Sequence, residues 1–187
     1  KDTGGDPNLG AVLVAPLSEE SFKGLAVLLI LLLRRREFDG IVDGIVYAGL
    51  AGIGFAFVEN ILYLGRTLSE GSGVTVVVFV LRCVVSPFAH PLFTCATGIG
   101  LGIASRSRNL VVRLGAPVLG FAVAVLLHGA WNLSASSGLN GLLAGYVLFQ
   151  MPVFVLFGVM AVLARRREGR LIERNLSVYG TTGWLTA

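Results

Sequence analysis

The chain has 187 residues, 55% of them hydrophobic and 14% charged, with a mean hydropathy of +0.80. Soluble domains carry about 25% charged residues, so this balance excludes one and indicates a polytopic helical membrane protein. The net charge of +4 does not point to nucleic acid, because the basic residues stand in short clusters beside apolar runs, as topology signals and lipid-headgroup contacts do.

The chain opens on the polar stretch KDTGGDPN, with no initiator Met and no signal-peptide pattern. Residues 1–9 therefore read as an extracytoplasmic lead-in. Five apolar segments follow, at residues 10–33, 38–65, 74–105, 115–135 and 139–164, joined by RRRE, GRTLSEGSG, SRSRN and SASSG. Residues 165–187 form a basic tail. The expected fold is all-α, a polytopic transmembrane bundle over residues 10–164 with about five membrane segments, one of them long or broken.

The third segment is the long one. Its 32 residues would span about 48 Å as a helix, more than an upright crossing of a core about 30 Å thick requires, and it contains Pro87 and Pro91. The basic residues decide how it crosses. If it crosses once, Arg34 to Arg36, the trio Arg106, Arg108 and Arg113, and the tail Arg165, Arg166, Arg167, Arg170 and Arg174 share one side. The positive-inside rule makes that side cytoplasmic, with residue 1 outside, as in a bacterial inner membrane.

The first four segments carry polar residues that a bilayer penalises, which marks them as functional. In the first, EESFK places Lys23 three and four residues after Glu20 and Glu19, able to neutralise one carboxylate. Pro16 is placed to open a helix with both glutamates in its first turn. In the second, Glu59 and Asn60 interrupt an apolar run one turn after Phe55. The third has Arg82 and then His90 followed by Pro91. The fourth has HGAWN, with His128 and Asn132 on one helical face. Counted in from the segment ends at about 1.5 Å per residue, Glu19, Glu20, Glu59, His90 and His128 all lie roughly 9 to 24 Å below the outer surface. Such agreement predicts one shared site. Three glutamates against Lys23 and Arg82 leave one negative charge for a proton, a charged histidine or a bound cation to offset.

Taken in order, E-E-x-x-K, GFAFVEN, R with HPLFT, and HGAWN resemble the PrsW family of bacterial intramembrane proteases, distant relatives of the CAAX prenyl endopeptidases and bacteriocin-processing proteins. The resemblance covers about residues 15–132. It implies peptide hydrolysis in or at the edge of the membrane, on a membrane-anchored protein such as an anti-sigma factor cleaved at its outer-facing site. By analogy Glu19 acts as general base, Glu59 stands where the prenyl endopeptidases have a histidine, and His128 and Asn132 stabilise the oxyanion. His90 then supplies the missing imidazole. Catalytic candidates are thus Glu19, Glu20, Glu59, His90 and His128, supported by Lys23, Arg82, Asn132 and Asn60.

Two mechanisms stay open. Glu19 deprotonates water directly, or His90, His128, Glu59 and Glu19 supply ligands for Zn²⁺. No H-E-x-x-H pair is present, so the local metal signal is weak. A proton- or cation-coupled transporter is the alternative class, although the paired broken helices of internal repeats are missing; a non-catalytic scaffold is another. The pairs Gly40/Gly44 and Gly98/Gly102 fit close helix packing in all three. Asp39 and Asp43 read as interfacial. Cys83 and Cys95 are twelve residues apart, about 18 Å on one helix, and cannot form a disulfide there. The expected partners are the bilayer and a membrane-anchored protein substrate, with no nucleic acid.

Overall fold

The fold is built from helices wherever the apolar segments run, because in a bilayer each backbone N–H and C=O must be satisfied within its own segment. The structure, a computed structural model, describes residues 9–181, with side chains as far as residue 176. The lead-in before residue 9 and the end of the tail after residue 181 lie outside the described residues.

A π-helical turn, Gly10–Val14, leads into α1 (Ala15–Leu33). A short joint, in which Arg34 pairs with Glu37 at 2.8 Å, leads to α2 (Ile41–Thr67). A turn containing Gly71 at φ +113° reverses the chain into α3 (Ser72–Phe79), which widens into a second π turn, Val80–Val85. The helix then breaks over Ser86, Pro87 and Phe88 and restarts as α4 (Ala89–Arg106). Next come α5 (Leu110–Ser136), capped by the Asn109 side chain on the Val111 amide at 2.9 Å, and α6 (Gly138–Gly145). A third π turn, Tyr146–Gln150, leads into α7 (Met151–Thr181).

Four of these stretches are long and apolar enough to cross a membrane: Ile41–Thr67, Ser72–Arg106, Leu110–Ser136 and Gly138–Leu176. The second of them, Ser72–Arg106, is the long third segment of the sequence, broken where its first proline falls. The first segment is helical over the expected residues, but Glu19, Glu20 and Lys23 divide its apolar run. One local expectation fails. Pro16 does not open the first helix, because the π turn already carries helical backbone from Gly10, and the glutamates therefore stand beyond a first turn. Also, α7 continues well past residue 164 into the basic tail.

The centre of the bundle is α4, whose residues Pro91 to Gly102 are all buried, gripped by α2 on one side and α5 on the other. Glycine makes this possible. A Cβ on Gly98 would strike the Gly44 carbonyl, one on Gly44 the Gly98 carbonyl, and one on Gly102 the Gly40 carbonyl. The two expected G-x-x-x-G pairs are thus each other's partners. On the far side Gly100 faces Ala116 and Pro117, and Gly120 faces the Ala96 carbonyl. Large apolar side chains such as Leu50, Phe57, Leu126 and Leu148 point outward, as a lipid-facing surface requires.

Candidate active site

The five charged or imidazole residues singled out in the sequence come together from α1, α2, α4 and α5. In α1, Glu19 and Glu20 are neighbours about 100° apart around the axis, so Glu20 faces α4 and α5 while Glu19 stays partly exposed. Glu20 is fully buried. Its Oε1 accepts from Lys23 Nζ at 2.5 Å and from His128 Nδ1 at 2.9 Å, and the Thr94 hydroxyl donates to its Oε2 at 3.0 Å. On α2, Glu59 Oε2 meets His90 Nε2 at 2.8 Å and Arg82 Nη2 at 2.5 Å.

The rest of the shell orients these groups. Arg82 reaches Glu59 from the second π turn, donates through Nε to Asn60 Oδ1 at 2.8 Å, and lies over the Tyr63 ring at 4.0 Å. Asn60 in turn donates to Cys83 Sγ at 3.6 Å. The Lys23 ammonium sits over the Phe55 ring at 4.5 Å and 3.3 Å from His90 Nδ1. Phe93 stacks on His128 with centroids 5.2 Å apart, and the two imidazoles stand edge to face at 5.0 Å.

These contacts assign one tautomer to each imidazole in its neutral form, since a carboxylate accepts and an ammonium donates. His90 carries its proton on Nε2, toward Glu59, and keeps the Nδ1 lone pair. His128 carries its proton on Nδ1, toward Glu20, and keeps the Nε2 lone pair. The free carboxylate among the three is Glu19. Its Oε2 lies 3.7 Å from His128 Nε2, 4.0 Å from His90 Nδ1 and 4.0 Å from Lys23 Nζ. That oxygen is buried and accepts no hydrogen bond.

The charge that the sequence left over is therefore localised. Glu20 pairs with Lys23 and Glu59 with Arg82, which leaves Glu19. One donor atom each from Glu19, His90 and His128 lie within 4.8 Å of one another. Two imidazoles and a carboxylate form a ligand set that suits Zn²⁺, and each imidazole donates its other N–H to a carboxylate, as metal-bound histidines usually do. Glu59, one of the four expected ligands, instead holds His90 from behind.

The supporting residues divide. Lys23, Arg82 and Asn60 belong to the network. Asn132 shares a face with His128 as expected, yet its amide donates to the Ala11 carbonyl at 2.9 Å and so fastens the first π turn to α5. Asp39 and Asp43 stay at the far end, Asp39 with Arg106 at 3.9 Å. Thr94 and Phe93 were not singled out. Thr94 stands four residues after His90, on the same helical face, and that spacing is the signal that could have found it.

The sequence matches the family model described as "PrsW family intramembrane metalloprotease" over residues 1–157. It is 34% identical over 159 residues to a protein named Protease PrsW from Oceanobacillus iheyensis, covering 84% of this chain and 67% of that one. A protein of the same name from Clostridioides difficile is 30% identical over 119 residues, covering 64% and 48%. A third, from Bacillus subtilis, is 30% identical over 155 residues, covering 83% and 65%. The chain thus spans between about half and two thirds of the length of these relatives. No solved structure matches.

Proposed function

This chain belongs to the PrsW family of intramembrane metalloproteases, and from that premise we propose that it hydrolyses a peptide bond of a membrane-anchored protein within the outer half of the bilayer. The observation that carries the reading is Oε2 of Glu19, a buried oxygen without a hydrogen-bond partner beside two imidazoles whose lone pairs face it. Glu19, His90 through Nδ1 and His128 through Nε2 would hold a zinc ion. Such an ion, when bound, brings the pKa of a water ligand near 7 and polarises a carbonyl.

The chain's own residues do the rest. Glu20 and Glu59 hold the two imidazoles in the tautomers described, and Arg82 and Asn60 keep Glu59 in place. Lys23 offsets the Glu20 charge and adds positive potential beside the position where an oxyanion would develop. Phe55, Phe93 and Trp131 exclude bulk water, which strengthens each of these interactions. The substrate reading is a single-pass protein, an anti-sigma factor among the candidates, cut from the outer face of a bacterial inner membrane.

The test is cleavage of a membrane-anchored substrate by the purified protein in lipid nanodiscs, alongside its metal content. Wild type is expected to cut and to carry about one zinc per chain. Glu19→Gln and His128→Ala should lose both cutting and metal. Cleavage that survives complete chelation would return the reading to direct deprotonation of water by Glu19. Cleavage undiminished in Glu19→Gln would remove this residue from the site altogether.

A further inference from the structure

Beside the site lies a second cavity, of about 190 Å³, walled by Val85, Phe88, Tyr146, Met151 and Phe154. Two of the three π turns end on it: Val80–Val85 contributes Val85, and Tyr146–Gln150 contributes both of its terminal residues. Such turns cost helical regularity and recur at functional positions. The broken stretch between α3 and α4 forms another wall. Ser86 lines both this cavity and the narrow cleft that holds His90, Arg82 and Asn60, so the two spaces adjoin. Trp131, from the cleft, and Tyr146, from the cavity, have ring centroids 6.5 Å apart.

The cavity contains one polar anomaly. Gln150 is only 4% exposed, and its Oε1 has no hydrogen-bond partner. Buried polar groups are otherwise almost always satisfied, and Gln150 is one of the residues that line the cavity. A substrate explains it. A transmembrane segment can be cut only after local unwinding, which strips backbone N–H and C=O groups of their partners in a medium that offers none. An amide side chain can accept from one such group and donate to another. The entry route is also open, since α3 rests on α2 and makes no extended contact with α6 or α7.

We propose that this cavity is the side-chain subsite next to the cleaved bond, taking one large apolar residue of an unwound transmembrane segment while Gln150 bonds that segment's backbone. Phe88 and Phe154, with centroids 5.7 Å apart, form its aromatic mouth. The volume suits Leu, Met or Phe. The subsite rests on the hydrolase reading above, and the test separates the two.

Single-pass peptides carrying Leu, Phe, Ala or Gly, scanned through the positions around the cleaved bond, would be offered to the full chain in nanodiscs. Cleavage is read with wild-type Glu19 and binding with the Glu19→Gln variant. At one position, Leu and Phe should be preferred over Gly by about tenfold or more, the scale on which apolar pockets discriminate. Phe154→Trp, which fills the cavity, should reduce that preference to within about twofold, whereas Leu156→Trp on the lipid face should preserve it. Gln150→Leu should weaken binding of all four peptides by about tenfold, the loss of one hydrogen bond. If peptides are cut but Phe154→Trp leaves the residue preference unchanged, the subsite falls and the hydrolase reading stands. If nothing is cut but binding shows the preference and its loss in Phe154→Trp, the subsite stands and the hydrolase reading falls. Should binding show no preference at any position, the proposal is overturned whatever the cleavage result.

Discussion

Nδ1 of His128 lies 2.9 Å from Oε1 of Glu20, and neither side chain reaches the surface of the protein. This contact decides which nitrogen of the ring is left free, so Glu20 acts on the site through His128. Glu20→Gln keeps the shape but can no longer act as a purely accepting partner. Zinc affinity is expected to fall by about 10- to 100-fold, the usual effect of losing such a partner. Competition with a chromogenic chelator measures it, and an unchanged affinity would remove Glu20 from the site's support.

Lys23 makes a different prediction. It is 3% exposed and bonds Glu20 at 2.5 Å, so Lys23→Met leaves a buried carboxylate with only His128 and Thr94 as donors. Breaking one side of a buried ion pair costs about 3 to 5 kcal/mol. The variant should unfold at clearly lower temperature in detergent. The double variant Lys23→Met/Glu20→Gln should recover part of that loss, because no unpaired charge remains.

Packing around α4 predicts a sharp contrast between glycines of a single helix. Gly44→Ala places a methyl on the Gly98 carbonyl and should destabilise by about 1 to 3 kcal/mol or more, as overpacking does. Gly49→Ala meets nothing within 4 Å and should stabilise by about 0.5 to 1 kcal/mol through helix propensity. Thermal unfolding of the two variants side by side reads the difference.

Orientation can be checked in intact cells with a membrane-impermeant maleimide. Ser69→Cys, in the exposed turn after α2, should label from outside, and Asn175→Cys, on the exposed end of α7, only after lysis. The reverse pattern would invert the topology inferred from the arginine clusters and place the site near the cytoplasmic face.

Much of this architecture is legible along the chain. The apolar runs locate every helix, although the last one runs on to Thr181, well past the expected end at residue 164, and the depth of Glu19, Glu20, Glu59, His90 and His128 anticipates their meeting. Several things are not legible. Composition and spacing offer three glutamates alike, the family resemblance alone points to Glu19, and the contacts separate it from Glu20 and Glu59, because which carboxylate an imidazole or guanidinium reaches depends on helix rotation. The π turns are invisible for a related reason. Their extra residue is stabilised by the partners it allows, such as Arg82 reaching Glu59, and not by local propensity. Asn132 shows the opposite limit. Its face was correctly read, but that face meets the backbone of the first π turn before it meets the carboxylates.

The glycine contacts along α4 also decide which parts of the molecule can move. A carbonyl seated where a side chain would be acts as a ratchet tooth: for α4 to slide along α2, Gly44 and Gly98 must pass residues that carry a Cβ, such as Ala48. The helix that carries His90 is therefore a fixed rail. An opening that admits a polypeptide would accordingly fall to α3 and α7, the elements outside that lock, and leave the helix of His90 in place.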